Sequence, residues 1–315
     1  MKKKSTKYFL NRLVGKPLRF LLFYVNPLNL FENKFIKQID KTKKIPPIFI
    51  IGAPRSGTTL LYQLLAYHYK TSYITNFSSV FLKSPVTTSY LTRKLLTPYN
   101  DKSLSSDYGL MKGIWAPSEA GKIFKYWFQR KDDDKIKNSI YAMGQVFNAP
   151  FIAKNLRINS ELEYMHKLFP DAIFIHIKRD IFFNVQSLIL GIQENKNDLV
   201  GNITVNKQRA SITDGSREQV FEQVVHDINM MNHSITSFLN SAKVNMISIN
   251  YEEVCNDYEK ELKKIESTLK EKHVALKRKN ESFNLSVKAS QKIKLSNEDW
   301  KLLEQIIEKQ NEHIN

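Results

Sequence analysis

The sequence predicts an α/β protein: a parallel β-sheet flanked by helices on both faces, with helical extensions at the N- and C-termini. Three observations carry that expectation. Short apolar, β-branched runs (Ile48–Ile51, Ala172–Ile177, Val244–Ile249) have the length and composition of buried strands. Helical spacing follows them, as in Leu60, Leu61, Leu64, Leu65 and in Phe183, Val185, Leu188, Ile189. Strand, turn and helix recur in the same sense, which a parallel sheet covered on both sides satisfies most economically.

Taken in order, residues 1–44 form a basic amphipathic extension in which Phe9, Leu10, Leu13, Leu18, Phe20 and Leu21 alternate with Lys and Arg. Such a stretch suits a helix packed on the domain or one touching anionic lipid. Glu32 to Lys44 reads as a polar lead-in that stops at Pro46-Pro47. Tyr69 to Pro85 has no clean period and is expected at the surface, and Leu91 to Pro98 as a short helix. An aromatic helix from Ile123 should end near Asp132-Asp133-Asp134, an acidic run read as a solvated face. Ser139 to Asn148 reads as the next helix, followed by a short strand, Phe151-Ile152-Ala153.

Ser160 and Glu163 have the spacing of a capping box for a helix through Leu168. Asn195 to Arg217 reads as a loop over the site, and Phe221 to Phe238 as a long amphipathic helix. A charged helix over Tyr258 to Lys272, a basic stretch and a last helix capped by Ser296 and Asp299 complete the chain. The domain expectation is an extension over 1–44, an α/β domain over 45–273, and a basic segment and helix over 274–315 packed on that domain.

Gly52-Ala53-Pro54-Arg55-Ser56-Gly57-Thr58-Thr59 lies between the first strand and its helix. Glycines there let successive N–H groups and a helix N-terminus converge on one anion. The spacing is that of a nucleotide phosphate loop, G-x-x-x-x-G-K-[ST], but Thr58 stands in the Lys position and the cation has moved to Arg55. Gly-Ala-Pro-Arg-Ser-Gly-Thr-Thr-Leu-Leu resembles the 5′-phosphosulfate loop of sulfotransferases that use 3′-phosphoadenosine 5′-phosphosulfate (PAPS). The resemblance implies a P-loop-like fold and donor contacts from Arg55, Ser56, Gly57, Thr58 and Thr59.

Further segments extend the resemblance. Arg179-Asp180 at a strand end, with Ser187 on the next helix, is similar to the family's 3′-phosphate motif; a guanidinium and a hydroxyl complete such a shell. Lys154 follows a short strand, where sulfotransferases place a Lys that bridges phosphate and sulfonate. The cytosolic enzymes continue Lys-Thr-His with the His as base, whereas this chain reads Lys154-Asn155-Leu156. No carboxylate lies in Thr71–Leu82, where membrane-bound members carry a Glu. Glu119, in Trp115-Ala116-Pro117-Ser118-Glu119-Ala120-Gly121, is the candidate base; it is equally suited to complementing a helix dipole. Tyr251, in Asn250-Tyr251-Glu252-Glu253, resembles the segment whose Tyr meets adenine, and a core Tyr fits as well.

The expected activity is therefore transfer of a sulfonyl group from PAPS to a hydroxyl, or less favourably an amine, of a carbohydrate, lipid-linked or other small acceptor, with no metal. The resemblance is to bacterial sulfotransferases. Trp115 and Trp127 are candidates for stacking on a sugar. A phosphate-loop kinase is the alternative enzyme, and a basic binder of membrane surface or nucleic acid the non-enzymatic one. The formal net charge of +17, from 48 Lys+Arg against 31 Asp+Glu, fits an anionic cofactor, acceptor or surface, or a bias spread over solvated faces. Cys255 is the only cysteine, which excludes an intrachain disulfide and points to a cytoplasmic protein. No apolar run approaches a membrane span, and the seven histidines have no metal-ligand spacing, His176 reading as core.

Overall fold

A computed structural model describes residues 26–38, 40, 43–93, 104, 106–107, 110–194, 216–241, 243–279 and 292–312. The expectations for residues 1–25, for most of the Asn195–Arg217 loop and for the end of the Leu91–Pro98 helix lie outside these residues. Four strands, β1 (Ile48–Ile51), β5 (Ile152–Lys154), β6 (Ile173–Lys178) and β7 (Asn245–Asn250), form the central parallel sheet in the order β5-β1-β6-β7. All of β1 is at most 1% exposed, as a strand covered on both faces must be. Contacts divide the chain into two compact units.

The first unit holds residues of 26–48, 62–155 and 274–279. Its elements are α1 (Asn29–Lys37), the body of α2 (Thr58–His68), β2 (Tyr69–Lys70), α3 (Pro85–Thr92), β3 (Ser106–Asp107), β4 (Leu110–Met111), α4 (Gly121–Arg130), α5 (Asp133–Phe147), β5 and β8 (Lys277–Arg278). The lead-in expected from Glu32 is in fact helix α1, because Glu32 is buried: its carboxylate accepts from the Val86 and Thr87 amides (3.0 and 2.8 Å) and from the Thr87 hydroxyl (2.7 Å). Two orphan donors of α3 are thereby satisfied from another helix. Burial nonetheless raises the Glu32 pKa, the hydrogen bonds only partly offsetting it.

Tyr69–Pro85 is not a surface segment. Ser72, Ile74, Thr75, Ser78 and Ser84 are buried, and the Ser72 hydroxyl is bonded to the Met143 carbonyl (2.8 Å) and that of Thr75 to Ser78 (3.1 Å). The acidic run also starts a helix. Asp132 caps α5 by accepting from the Lys135 amide (3.1 Å), so this helix begins earlier than Ser139. β8 pairs antiparallel with β2, Tyr69 opposite Arg278.

The second unit holds residues of 49–61, 156–273 and 292–312. It contains the rest of β1, the first turn of α2, α6 (Leu156–Asn159), α7 (Leu162–Leu168), β6, α8 (Ile181–Glu194), α9 (Arg217–Ser241), β7, α10 (Tyr251–Asn256), α11 (Tyr258–Glu271) and α12 (Asn297–Glu312). β6 and β7 run parallel in register from Ile173 opposite Asn245 to Lys178 opposite Asn250. Val185, Leu188 and Ile189 of α8 pack with Phe221, Val224 and Ile228 of α9 and with Leu303, Ile306 and Ile307 of α12. The C-terminal helix thus belongs to the core of this unit, and Ser296 caps it through the Asp299 amide (3.1 Å) as expected. Ser160 does not cap α7: the N-cap is Glu161, without a side-chain cap.

Candidate active site

In the second unit, Gly52 follows β1 and the chain turns through Ala53–Gly57 into α2. Gly52 is irreplaceable on steric grounds, since a Cβ there would lie 2.6 Å from the Ile177 carbonyl and 2.7 Å from Ser56 Oγ. At Gly57 (φ +99°) a Cβ would lie 2.3 Å from Tyr251 Cδ2. Tyr251, the first residue of α10, is therefore packed against the loop. Arg55 is the loop's strained residue, with φ +66° on a non-glycine. Asn159 donates to the Gly52 carbonyl (2.8 Å) and fastens the loop's start.

Arg179 follows β6. Its Nη1 donates to the Arg55 carbonyl (2.8 Å), and its guanidinium sits over the Tyr251 ring at 4.5 Å. Its Nε and the Oγ of Ser56 are both buried and have no hydrogen-bond partner among the described residues, an unusual condition for such groups. Asp180 accepts from the Phe182 (2.9 Å) and Phe183 (3.3 Å) amides and so starts α8. Ser187, further along that helix, accepts from Arg55 Nε (3.1 Å). Thr58 is buried and Thr59 half-buried in the first turn of α2. Burial raises the Tyr251 phenol to about 12, with a hydrogen bond to Cys255 adding to it.

The first unit carries Lys154 and Glu119. Lys154 closes β5, is 6% exposed, and its ammonium donates to Glu119 Oε1 at 2.5 Å. The neighbouring Asn155 donates to the Glu119 backbone carbonyl (2.6 Å). Where the cytosolic pattern has Thr-His after the Lys, this chain thus uses Asn155 as a second hold on Glu119. Glu119 stands before the N-cap of α4, Ala120, and so outside the helix; Ser118 Oγ accepts from the Ala120 amide (3.2 Å) without being that cap. Glu119 therefore does not stand in the first turn of α4, where the dipole reading put it, and its carboxylate is paired with Lys154.

Trp127 is 3% exposed and packs edge-on against Phe124 (5.4 Å), so it is core rather than a sugar platform; Trp115 is half-buried against Phe77 (5.5 Å). His176 is 2% exposed, and burial with the Lys178 charge lowers its pKa to about 4. The reading of the sequence missed Asn155, Asn159 and Asn184. Asn184 and Gln186, polar residues inside the apolar run of α8 and both buried, were the available signal. Among the described residues no three His, Cys, Asp or Glu groups cluster as metal ligands, and no helix is long and apolar enough to cross a membrane.

The loop carries Arg55, is held by Arg179 and leads into the N-terminus of α2, an arrangement suited to an anion. Residues 46–273 match the model of the sulfotransferase family. The chain belongs to that family. Similar solved structures include sulfotransferase STF9 from Mycobacterium avium, with a TM-score of 0.50 and 13% identity over 90% of this chain and 72% of that one. Sulfotransferase STF1 from Mycobacterium tuberculosis H37Rv gives 0.43 and 13% identity over 93% and 80%. The sulfotransferase domain of the curacin biosynthetic pathway gives 0.39 and 18% identity over 72% and 75%. No curated protein matches the sequence. The likeness to STF9 shows the shared α/β fold of this sulfotransferase.

Proposed function

We propose that the protein transfers a sulfonyl group from PAPS to a hydroxyl, or less favourably an amine, of a carbohydrate, lipid-linked or other small acceptor. The observation that supports the donor assignment is the pair of buried polar groups without partners among the described residues, Ser56 Oγ in the loop and Arg179 Nε just after β6. Buried polar groups without partners are costly, and an anion supplies the missing acceptors.

PAPS supplies an activated sulfonyl group on a phosphate. In this reading the loop amides, Ser56, Gly57, Thr58 and Thr59 hold the 5′ side, while Arg179 and Ser187 hold the 3′-phosphate. Tyr251, beneath Arg179, supports adenine. Arg55 and Lys154 neutralise charge gathering on the bridging oxygen, and Glu119 takes the acceptor's proton on the oxygen that Lys154 leaves open. Residues 45–273 form the catalytic domain, and the single cysteine suits a cytoplasmic enzyme, with the basic N-terminal segment offering a contact to anionic membrane.

Thermal stabilisation tests the donor assignment. A ligand at 100 times its Kd stabilises by roughly 2.7 kcal/mol. 3′,5′-Adenosine bisphosphate should raise the melting temperature well beyond ADP or ATP at equal concentration. Preferential stabilisation by ATP with magnesium would move the assignment to a kinase.

A further inference from the structure

We propose that Asn184 is a positioning residue that fixes the left-handed conformation of Arg55 and thereby aims the loop's guanidinium; the inference rests on the donor-binding role proposed for that loop. A non-glycine residue at φ +66° persists only where its surroundings over-determine it. The surroundings here are one face of α8. The amide group of Asn184 lies 2.7 Å from the Pro54 carbonyl oxygen and 3.2 Å from the Arg55 carbonyl oxygen. Carbonyl oxygens only accept, so the atom facing them is Nδ2, and it donates to both. Ser187, three residues further on and hence on the same face, accepts from the Arg55 Nε.

Asn184 thus holds the backbone of Arg55 while Ser187 holds its side chain. The two differ in what they offer a ligand. Arg179 and Ser187 also grip Arg55, but both are assigned to the 3′-phosphate and would exchange part of that grip for the ligand. Asn184 is 1% exposed and its donors are spent on the loop, so its hold does not change when the donor arrives. Solvent cannot replace it.

The test uses Asn184→Leu, close in size and without donors, in the Arg55 protein and in an Arg55→Ala background. Calorimetric affinity for 3′,5′-adenosine bisphosphate is measured in all four proteins, and the Arg55 Nε–H resonance is followed in ligand-free, arginine-labelled protein. The expected result is about a tenfold loss of affinity with Arg55 present, and less than about twofold in Arg55→Ala, since coupled residues are non-additive. The resonance should shift or broaden. Equal losses in both backgrounds, or an unmoved resonance, would overturn the proposal.

If Asn184→Leu does not fold, Asn184→Asp keeps the shape and donates only when protonated. Its affinity relative to the parent should then fall as pH rises, and a constant ratio would overturn the proposal. If the parent protein does not bind the bisphosphate, the donor assignment falls, and the ligand-free resonance still decides the role of Asn184.

Discussion

Replacing Glu119 by Gln separates chemistry from architecture at the Lys154 pair. Gln keeps an oxygen for the Lys154 ammonium and keeps the backbone carbonyl that accepts from Asn155, so the site's shape is retained. What is lost is charge. The ammonium stays charged and keeps a hydrogen bond to a neutral oxygen, still a bond to a charged group, so what is lost is the attraction of a partly exposed ion pair, about 1 kcal/mol of stability. The figure stays below the roughly 3–5 kcal/mol of breaking a fully buried pair, because the Glu119 side chain is 28% exposed while that of Lys154 is 7%. Loss of a positioned base lowers turnover by about 10²- to 10⁴-fold. Melting temperature, bisphosphate affinity and turnover on one preparation should therefore show a small drop in the first, little change in the second and a large drop in the third. A fully active Glu119→Gln enzyme would refute the general-base role, and Lys154→Met would then show whether the pair matters to turnover at all.

Three other outcomes are expected. Arg179→Ala should remove most of the preference for 3′,5′-adenosine bisphosphate over AMP, at about 1.5–3 kcal/mol per charged hydrogen bond, read by calorimetry. Gly57→Ala combines a strained φ with a Cβ 2.3 Å from the Tyr251 ring, so denaturant titration should show a loss of about 1–3 kcal/mol or more, accompanied by weaker bisphosphate binding. His176, with its pKa lowered to about 4, binds a proton in the unfolded chain but not the folded one between about pH 4 and 6.5. Stability therefore rises with pH across that window and is lost on acidification, by up to about 3 kcal/mol in total; His176→Phe should flatten this part of the pH–stability curve.

The strand–loop–helix core was legible because each step has a local cause. Ile48–Ile51 is apolar without interruption, Gly52 and Gly57 mark backbone that no side chain fits, and Leu61, Leu64 and Leu65 repeat at helical spacing. Arg179 and Ser187 were readable as a pair on a strand end and the next helix, but their attachment to Arg55 was not. That contact depends on a left-handed Arg55, which no spacing rule predicts. Glu32 misled for a related reason: among lysines it looks solvated, and only the fold reveals two bare amides for it to serve. Leu156 was noticed in the place of a missing histidine, while the hold of its neighbour Asn155 on the Glu119 carbonyl, a tertiary contact 36 residues away in sequence, was not foreseen.

The Glu32 contact also sets where a shortened version of this chain can begin. The family match starts at residue 46, yet cutting there deletes α1 and strands the Val86 and Thr87 amides, together with Ser84, which accepts from Asn26 Nδ2 (3.0 Å). A truncation beginning after Lys37 should express poorly or expose α3 to proteases, whereas one that retains Asn26 onward keeps every one of these bonds. A truncated chain that keeps these contacts is thus longer at its front than the segment by which the family is recognised.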